Sequence, residues 1–398
     1  MKIPDIELYN MSRFRSEQMG AAMLFIILFH VGLDRWDPMF GLRRMGNVGV
    51  DIFLFLSGIG LWYSWTKMTE KGMATKDMLL RFFKNRYVRI YPAWLIMASL
   101  YYIPRFHGGD IMAWIDLIGD ITINWDFWLH DELTFWYIPA IMMLYTISPF
   151  YMMLIQRHPM YRWLPLISVI WCVMVQWVIP IHQAVGHLEI FWSRVPIFLL
   201  GINFGSMVKN RHTIDGQAVW MLAAIWILTF GTCLYLEQIR HGHFPLFVER
   251  MLYIPFTITT IMLLNRVFRR LPDKVNMVFR FVGAVSLEAY LIHSHFVLCY
   301  IERMHIGYWP TFLLTAIITM PLAWLLHKGI EKVKKYKGKK IKNEKDNKAH
   351  TSAPMAEEHL RVFPYVLWWY ADVYRRHHGC GDNILCLQLH SLIDILPE

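Results

Sequence analysis

Residues 19–33, MGAAMLFIILFHVGL, form an apolar segment that contains a single ionisable side chain, His30. An apolar run of this kind predicts a membrane-embedded helix, and an ionisable group at membrane depth is costly enough to indicate a functional site. His30 follows Met19 by eleven residues, about 17 Å of helix, so we expect it in the outer half of the bilayer. Imidazole titrates near neutral pH and suits a general base; the alternative is a neutral histidine that is hydrogen-bonded within the bundle.

The composition of the whole chain points to the same class of protein. Of its 398 residues, 56% are hydrophobic and only 18% are charged, which predicts an all-α polytopic membrane protein. The first 18 residues are mixed and polar, and no small-residue cleavage site follows the first apolar run, so we interpret that run as a span. We assign the net charge of +10 to the lipid bilayer and expect no nucleic-acid partner.

About ten apolar segments are long enough to cross a bilayer, at about 20 residues for each helical span. The apolar segment 111–128 carries Asp116, Asp120 and Asp126, so we expect it to be interfacial or re-entrant. The predicted spans are 18–34, 46–66, 88–105, 134–156, 162–181, 189–208, 217–236, 246–265, 278–299 and 309–328.

Lysine and arginine are distributed unevenly between the loops of this predicted bundle. Loops on the side of the N-terminus hold most of them. Because positive charge accumulates in cytoplasmic loops, we expect both termini in the cytoplasm. The opposite, outer loops hold only Arg35, Arg43, Arg44, Arg105, Arg240 and Arg303.

The composition changes after residue 328, which divides the chain into a membrane domain, 1–328, and a basic cytoplasmic tail, 329–398. The tail begins with the charged run KGIEKVKKYKGKKIKNEKDNK and contains a short apolar segment, VLWWYADVY, of unknown role. Cys172, Cys233 and Cys299 lie in apolar segments and are interpreted as small core residues. Cys380 and Cys386 lack metal-site spacing, so we assign neither a metal nor a disulfide.

Three segments in order carry a resemblance to a known family. They are SRFRSEQMGAAMLFIILFH (12–30), GNVGVDIFLFLSGIGLWYSW (46–65) and FFKNRYVRIYPAW (82–94). Together they resemble the integral-membrane acyltransferase-3 family of bacteria, and the likeness extends to about residue 328. The resemblance implies transfer of an acyl group from a cytoplasmic acyl-thioester to a sugar or another acceptor.

The resemblance also implies roles for charged residues in the first three segments. The family pairs its histidine with an arginine eleven residues earlier; Met19 stands there, and Arg15 is either a partial substitute or a positive-inside anchor. Asp51 either orients the His30 imidazole or is a favourable charge near a helix N-terminus. Arg86 and Arg89 share a helix face and suit the phosphates of CoA, the alternative being an ordinary cytoplasmic loop.

Later segments resemble the family more weakly. In EIFWSRVPIFLLG, Glu189 is badly placed to pair with Arg194 on one helix, so we expect the partner of Arg194 on another helix or on the substrate. In SLEAYLIHSHF, Ser286, Tyr290 and His293 recur on one helix face. The predicted catalytic group, His30, Asp51, Arg194 and His293, lies at outer depth, whereas the predicted donor-binding group, Arg15, Arg86 and Arg89, lies toward the cytoplasm.

The resemblance therefore implies an O-acyltransferase of the bacterial cytoplasmic membrane. It would move an acyl group, most simply acetyl, from acyl-CoA to a hydroxyl of a cell-surface glycan or its lipid-linked precursor, without a bound cofactor. One alternative is a transporter or exporter in which the buried His, Asp and Arg line a proton or anion path. A third alternative is a non-catalytic assembly protein. This alternative would be favoured if replacement of His30 had no effect.

Overall fold

The computed structural model describes the backbone of residues 4–349 and the side chains of residues 4–336. The predictions for VLWWYADVY, Cys380 and Cys386 lie outside the described residues. Within them the regular secondary structure is helical except for one two-stranded antiparallel sheet, in which Ile6 pairs with Ile214 and Glu7 with Thr213. The prediction of a helical membrane-protein fold is confirmed.

The elements of the first half run from strand β1 to helix α8. The longest are α4 and α5, which are joined by a short turn around Gly72. In order they are β1 (Ile6–Glu7), α1 (Asn10–Arg13), α2 (Arg15–His30), α3 (Phe40–Met45), α4 (Val48–Thr69), α5 (Thr75–Tyr102), a 3-10 turn (Ile103–Arg105), α6 (Ile111–Ile123), α7 (Trp125–Leu129) and α8 (Tyr137–Arg157).

The second half contains two broken helices and one long terminal helix. A wide π-helical turn, His293–Leu298, separates α16 from α17 in the second broken helix. In order the elements are a 3-10 turn (Pro159–Trp163), α9 (Leu164–Trp177), α10 (Ile179–Val185), a 3-10 turn (Gly186–Leu188), α11 (Glu189–Trp192), α12 (Val195–Lys209), β2 (Thr213–Ile214), α13 (Ala218–Gln238), α14 (Leu246–Arg270), α15 (Asp273–Ala284), α16 (Ser286–Ile292), the π turn, α17 (Cys299–Ile301), a 3-10 turn (Glu302–Met304) and α18 (Tyr308–Ala349).

Five helices in the described residues are long and apolar enough to cross a membrane, and two bent pairs raise the number to seven. The sequence pattern predicts about ten, and the difference has physical causes. Helices α2 and α12 have only 16 and 15 residues. Helix α5 is long enough but carries several lysines and arginines along its length. The five are Phe40–Thr69, Tyr137–Arg157, Ala218–Gln238, Leu246–Arg270 and Tyr308–Tyr336.

Glycine permits a close contact between helices α2 and α15. A Cβ on Gly283 would lie 1.9 Å from the carbonyl oxygen of Ser16, and a Cβ on Gly20 would lie 2.1 Å from that of Phe279. Any larger residue at either position would collide with backbone, which cannot move aside. Small residues are the usual device by which membrane helices approach each other.

Helices α4 and α12 pack in the same manner. A Cβ on Gly58 would lie 2.5 Å from the carbonyl oxygen of Phe198, and one on Gly201 would lie 2.2 Å from that of Phe55. The small residues of the second segment therefore serve helix packing. Asp51 of α4 and Arg194, which directly precedes α12, contact each other at one end of the same helix pair.

Residues 111–128 turn back on themselves, as an interfacial or re-entrant segment does. Helix α6 packs along α5, where the Tyr91 hydroxyl and the Trp94 indole N–H both donate to the carbonyl oxygen of Thr122, at 2.9 and 3.3 Å. The chain then reverses at Asn124, a buried residue with φ of 59°. Tyr91 of the third segment therefore anchors this hairpin.

Candidate active site

Two histidines meet where α2 ends and the π turn begins. Nε2 of His293 lies 3.3 Å from Nδ1 of His30, and the ring centroids are 4.8 Å apart in an edge-to-face arrangement. His293 is fully buried, whereas His30 is half-buried. The structure thus brings together two residues that the sequence assigns separately to outer depth.

The hydrogen bonds of the pair determine which nitrogens carry hydrogen. Nδ1 of His30 lies 2.8 Å from the carbonyl oxygen of Ile26, and Nδ1 of His293 lies 2.8 Å from that of Tyr290. A carbonyl oxygen only accepts, so in the neutral rings both Nδ1 atoms donate. Nε2 of His293 then accepts from His30, and Nε2 of His30 is left as a free lone pair with no partner among the described residues.

A third histidine, His295, stands next to the pair and was not singled out by the sequence. Its ring packs edge-on against Tyr101 and Phe135, with centroids 4.9 and 4.7 Å apart. His295 thus lies against these aromatic rings, and it also interacts electrostatically with His30. The His-Ser-His spacing in the sequence could have drawn attention to it.

Asp51 pairs with Arg194 and not with His30. The Arg194 Nη1 donates to Asp51 Oδ2 at 2.8 Å, and the two residues are only 1% and 2% exposed. The partner of Arg194 therefore lies on another helix, as its poor spacing from Glu189 indicates. Glu189 instead forms an ion pair with Arg250. Of the two interpretations of Asp51, the pairing with the His30 imidazole is absent from the structure.

Arg15, Arg86 and Arg89 form one cluster of positive charge. Arg15 interacts electrostatically with both of the others and with the Tyr145 hydroxyl. In the described part of the chain, no carboxylate lies within 4 Å of any of the three guanidinium groups, although such pairs occur elsewhere in the bundle. Three guanidinium groups without anions form a site that suits phosphate.

The Arg15 side chain lies deeper than helix geometry alone predicts. Its Nε donates to the carbonyl oxygen of Leu56, at 3.3 Å, in the middle of α4. The N-terminal helix α1 packs against α4, and Arg211 covers the ring of Tyr9 in the same N-terminal segment. Arg15 therefore begins α2 with its side chain directed into the helix bundle.

A line of tyrosines connects the arginine cluster with the histidine pair. Tyr137 interacts electrostatically with Arg15, and its backbone N–H donates to the Tyr290 hydroxyl at 3.3 Å. The Tyr290 ring in turn lies 5.8 Å from that of His293, centroid to centroid. Polar side chains thus extend through the core from the cationic end of the site to the imidazoles. Ser286, the first residue of α16, donates its hydroxyl hydrogen to the carbonyl oxygen of Gly283.

Comparison with known proteins accords with this arrangement. No curated protein and no solved structure matches the chain. A family model described as an acyltransferase domain matches residues 20–328, well over half of the chain, and spans both histidines and the arginines at 86 and 89. The chain therefore belongs to the acyltransferase-3 family of membrane acyltransferases.

Proposed function

We propose that the protein transfers an acyl group, most simply acetyl, from acyl-CoA to a hydroxyl of its acceptor, with His30 as general base. The observation that carries this proposal is the free Nε2 of His30, a lone pair fixed in direction because Nδ1 is committed to Ile26 and His293. A base that is held in one tautomer needs no rearrangement before it takes a proton.

The chemistry divides between the two ring nitrogens of His30. Nε2 removes the proton of the acceptor hydroxyl while the oxygen attacks the thioester carbonyl carbon. The tetrahedral intermediate then collapses, the carbon–sulfur bond breaks, and the CoA thiolate takes the proton back from Nε2. His293 accepts the hydrogen bond from Nδ1 throughout, so it positions the base without exchanging a proton with substrate.

The arginine cluster is the proposed site for the donor's phosphates. CoA carries a pyrophosphate and a 3′-phosphate, and guanidinium groups bind such anions through paired hydrogen bonds. Arg15 and His30 are separated by about 22 Å of helix, the rise of α2 between them. The long pantetheine arm of CoA would cross this separation beside Tyr137 and Tyr290.

The proposed setting is the bacterial cytoplasmic membrane, with about ten spans and both termini in the cytoplasm. This setting rests on the charge of the loops, because positive residues collect on the side of Lys84, Arg157 and Arg266. The donor would then enter from the cytoplasm, and the acceptor would be a cell-surface glycan or its lipid-linked precursor on the side of His30. Acyl transfer across the bilayer follows from this placement.

Replacement of His30 tests the proposal directly. Membrane vesicles that contain the His30→Ala protein are supplied with radiolabelled acetyl-CoA, and the acetyl content of cell-surface glycans is measured in parallel by mass spectrometry. We expect transfer to fall by at least the 10²- to 10⁴-fold that general bases typically contribute. His158→Ala, which removes an exposed histidine at the end of α8, is the matched control. Full acetylation by the His30 variant would disprove the role of His30.

A further inference from the structure

Arg43 stands beside the histidine pair on the outer side and has no role in the proposed chemistry. Its guanidinium carbon lies 5.7 Å from the centroid of the Phe29 ring and 5.5 Å from that of Phe40. The Phe29 ring packs edge-on against the ring of His30, with centroids 5.1 Å apart. The ring of Phe29 therefore separates the charge of Arg43 from the imidazole of His30. Arg43 is close enough to act on the imidazole electrostatically.

Arg43 differs from the other buried arginines of this region in lacking an anion. Three of them each contact a carboxylate: Arg44 that of Glu237, Arg194 that of Asp51 and Arg250 that of Glu189. In residues 4–336, no carboxylate lies within 4 Å of Arg43 and its side chain donates no hydrogen bond. Its Nε is buried without a partner.

Two groups that act on Arg43 electrostatically, Glu302 and Tyr308, form no hydrogen bond with it in the described residues. Glu302 attracts Arg43 electrostatically, but its Oε1 accepts the backbone N–H of Gly32 at 2.6 Å. Tyr308, which also acts on Arg43, donates its hydroxyl hydrogen to the carbonyl oxygen of Leu28. A guanidinium held without an anion in a half-buried place is costly, so an external anion is the partner that this geometry lacks.

We propose that Arg43 binds an acidic group of the acceptor, a carboxylate or a phosphate, while a hydroxyl of the same molecule faces His30. The inference rests on the proposed function and adds that the acceptor is an acidic glycan. The two ring contacts through Phe29, of 5.7 and 5.1 Å, set the guanidinium apart from the reacting atoms, so that it would bind a group of the acceptor other than the reacting hydroxyl. The planar guanidinium suits both anions, since each offers two oxygens to its fork.

Binding of simple sugars to the full-length protein in lipid nanodiscs tests this. The probes are methyl β-glucuronide, glucose 1-phosphate and the neutral methyl β-glucoside. The thermal unfolding midpoint of the protein is measured as the concentration of each sugar is raised. We expect either acidic sugar to bind about 10- to 150-fold more tightly than the glucoside, the value of a charge-assisted hydrogen bond. The stronger of the two acidic probes identifies carboxylate or phosphate as the natural group.

Variants separate this inference from the proposed function. Arg43→Gln should abolish the preference, Arg43→Lys should retain part of it, and Arg303→Gln, which removes an exposed outer arginine, should retain all of it. His30→Ala should bind acidic sugars normally, so loss of catalysis does not affect this readout. Equal binding of the three sugars by the native protein, or an unchanged preference in Arg43→Gln, would overturn the inference. A lower kcat with unchanged acceptor KM in Arg43→Gln would also overturn it.

Discussion

The carboxylate of Asp51 and the guanidinium of Arg194 neutralise each other across the interface of α4 and α12, at 2.8 Å. Both side chains are almost fully buried, and Nε and Nη2 of Arg194 have no other partner in the described residues. Removal of either member would leave an uncompensated charge buried between the two helices. We therefore expect a change in this ion pair to affect folding more than the chemical step.

Asp51→Asn should destabilise the protein strongly, because it leaves the Arg194 charge buried and unpaired. Loss of one partner of a buried ion pair costs about 3 to 5 kcal/mol. The measurement is the thermal unfolding midpoint in detergent. Asp273→Asn, which breaks an exposed pair with Arg280, is the control and should shift the midpoint little.

The double variant Asp51→Asn, Arg194→Gln should recover part of the loss, since no unpaired charge remains. A normal unfolding midpoint in Asp51→Asn together with abolished transfer would assign Asp51 to catalysis instead.

His293→Ala should reduce kcat less than His30→Ala does. It removes one neutral hydrogen bond to the base, worth about 1 to 1.5 kcal/mol, and so roughly a tenfold loss is expected. The acidic limb of the pH–rate profile should move as well, because Nδ1 of His30 would lose one of its two acceptors and keep only the Ile26 carbonyl oxygen. His293→Gln offers an amide oxygen to the same N–H and should restore part of the rate. An unaltered pH profile in a slow His293→Ala variant would indicate a packing role alone.

Arg86→Ala and Arg89→Ala should each raise the KM for acyl-CoA and leave the acceptor KM unchanged. Each removes a charge-assisted hydrogen bond worth roughly 1.5 to 3 kcal/mol, or about 10- to 150-fold in donor affinity. Arg81→Ala, an exposed arginine on the same helix, is the matched control. A donor KM that does not change in membrane vesicles would exclude the arginine cluster as the phosphate site.

Deletion of residues 345–398 should leave transfer largely intact. The family match ends at residue 328, and the lysine run that should hold the last span in place would remain. The assay is turnover at matched membrane abundance. Normal membrane abundance with lost turnover would place the tail within the catalytic machinery.

The sequence predicts the helical fold, because helix formation depends on local composition, and it singles out the residues from which the proposed site is built. His30 is conspicuous as an ionisable group in an apolar run, and Gly58 as a small residue in a bulky one. Contacts between distant segments were less accessible. Nothing near Asp51 in the sequence indicates Arg194, and the meeting of His30 with His293 depends on how α2 crosses α15. The depth of Arg15 depends likewise on the packing of the segment before α2.

Gly20 of α2 and Gly283 of α15 lie at the point where these two helices cross. The crossing point therefore sets how far along the chain each histidine lies from it. His30 follows Gly20 by ten residues, and His293 follows Gly283 by the same number. The two imidazoles therefore stand ten residues beyond one crossing point, at the place where the two segments meet again. One residue inserted into either segment would advance its histidine by about 1.5 Å and turn it by about 100°. The histidine pair tolerates substitutions along these segments far better than a change in their length.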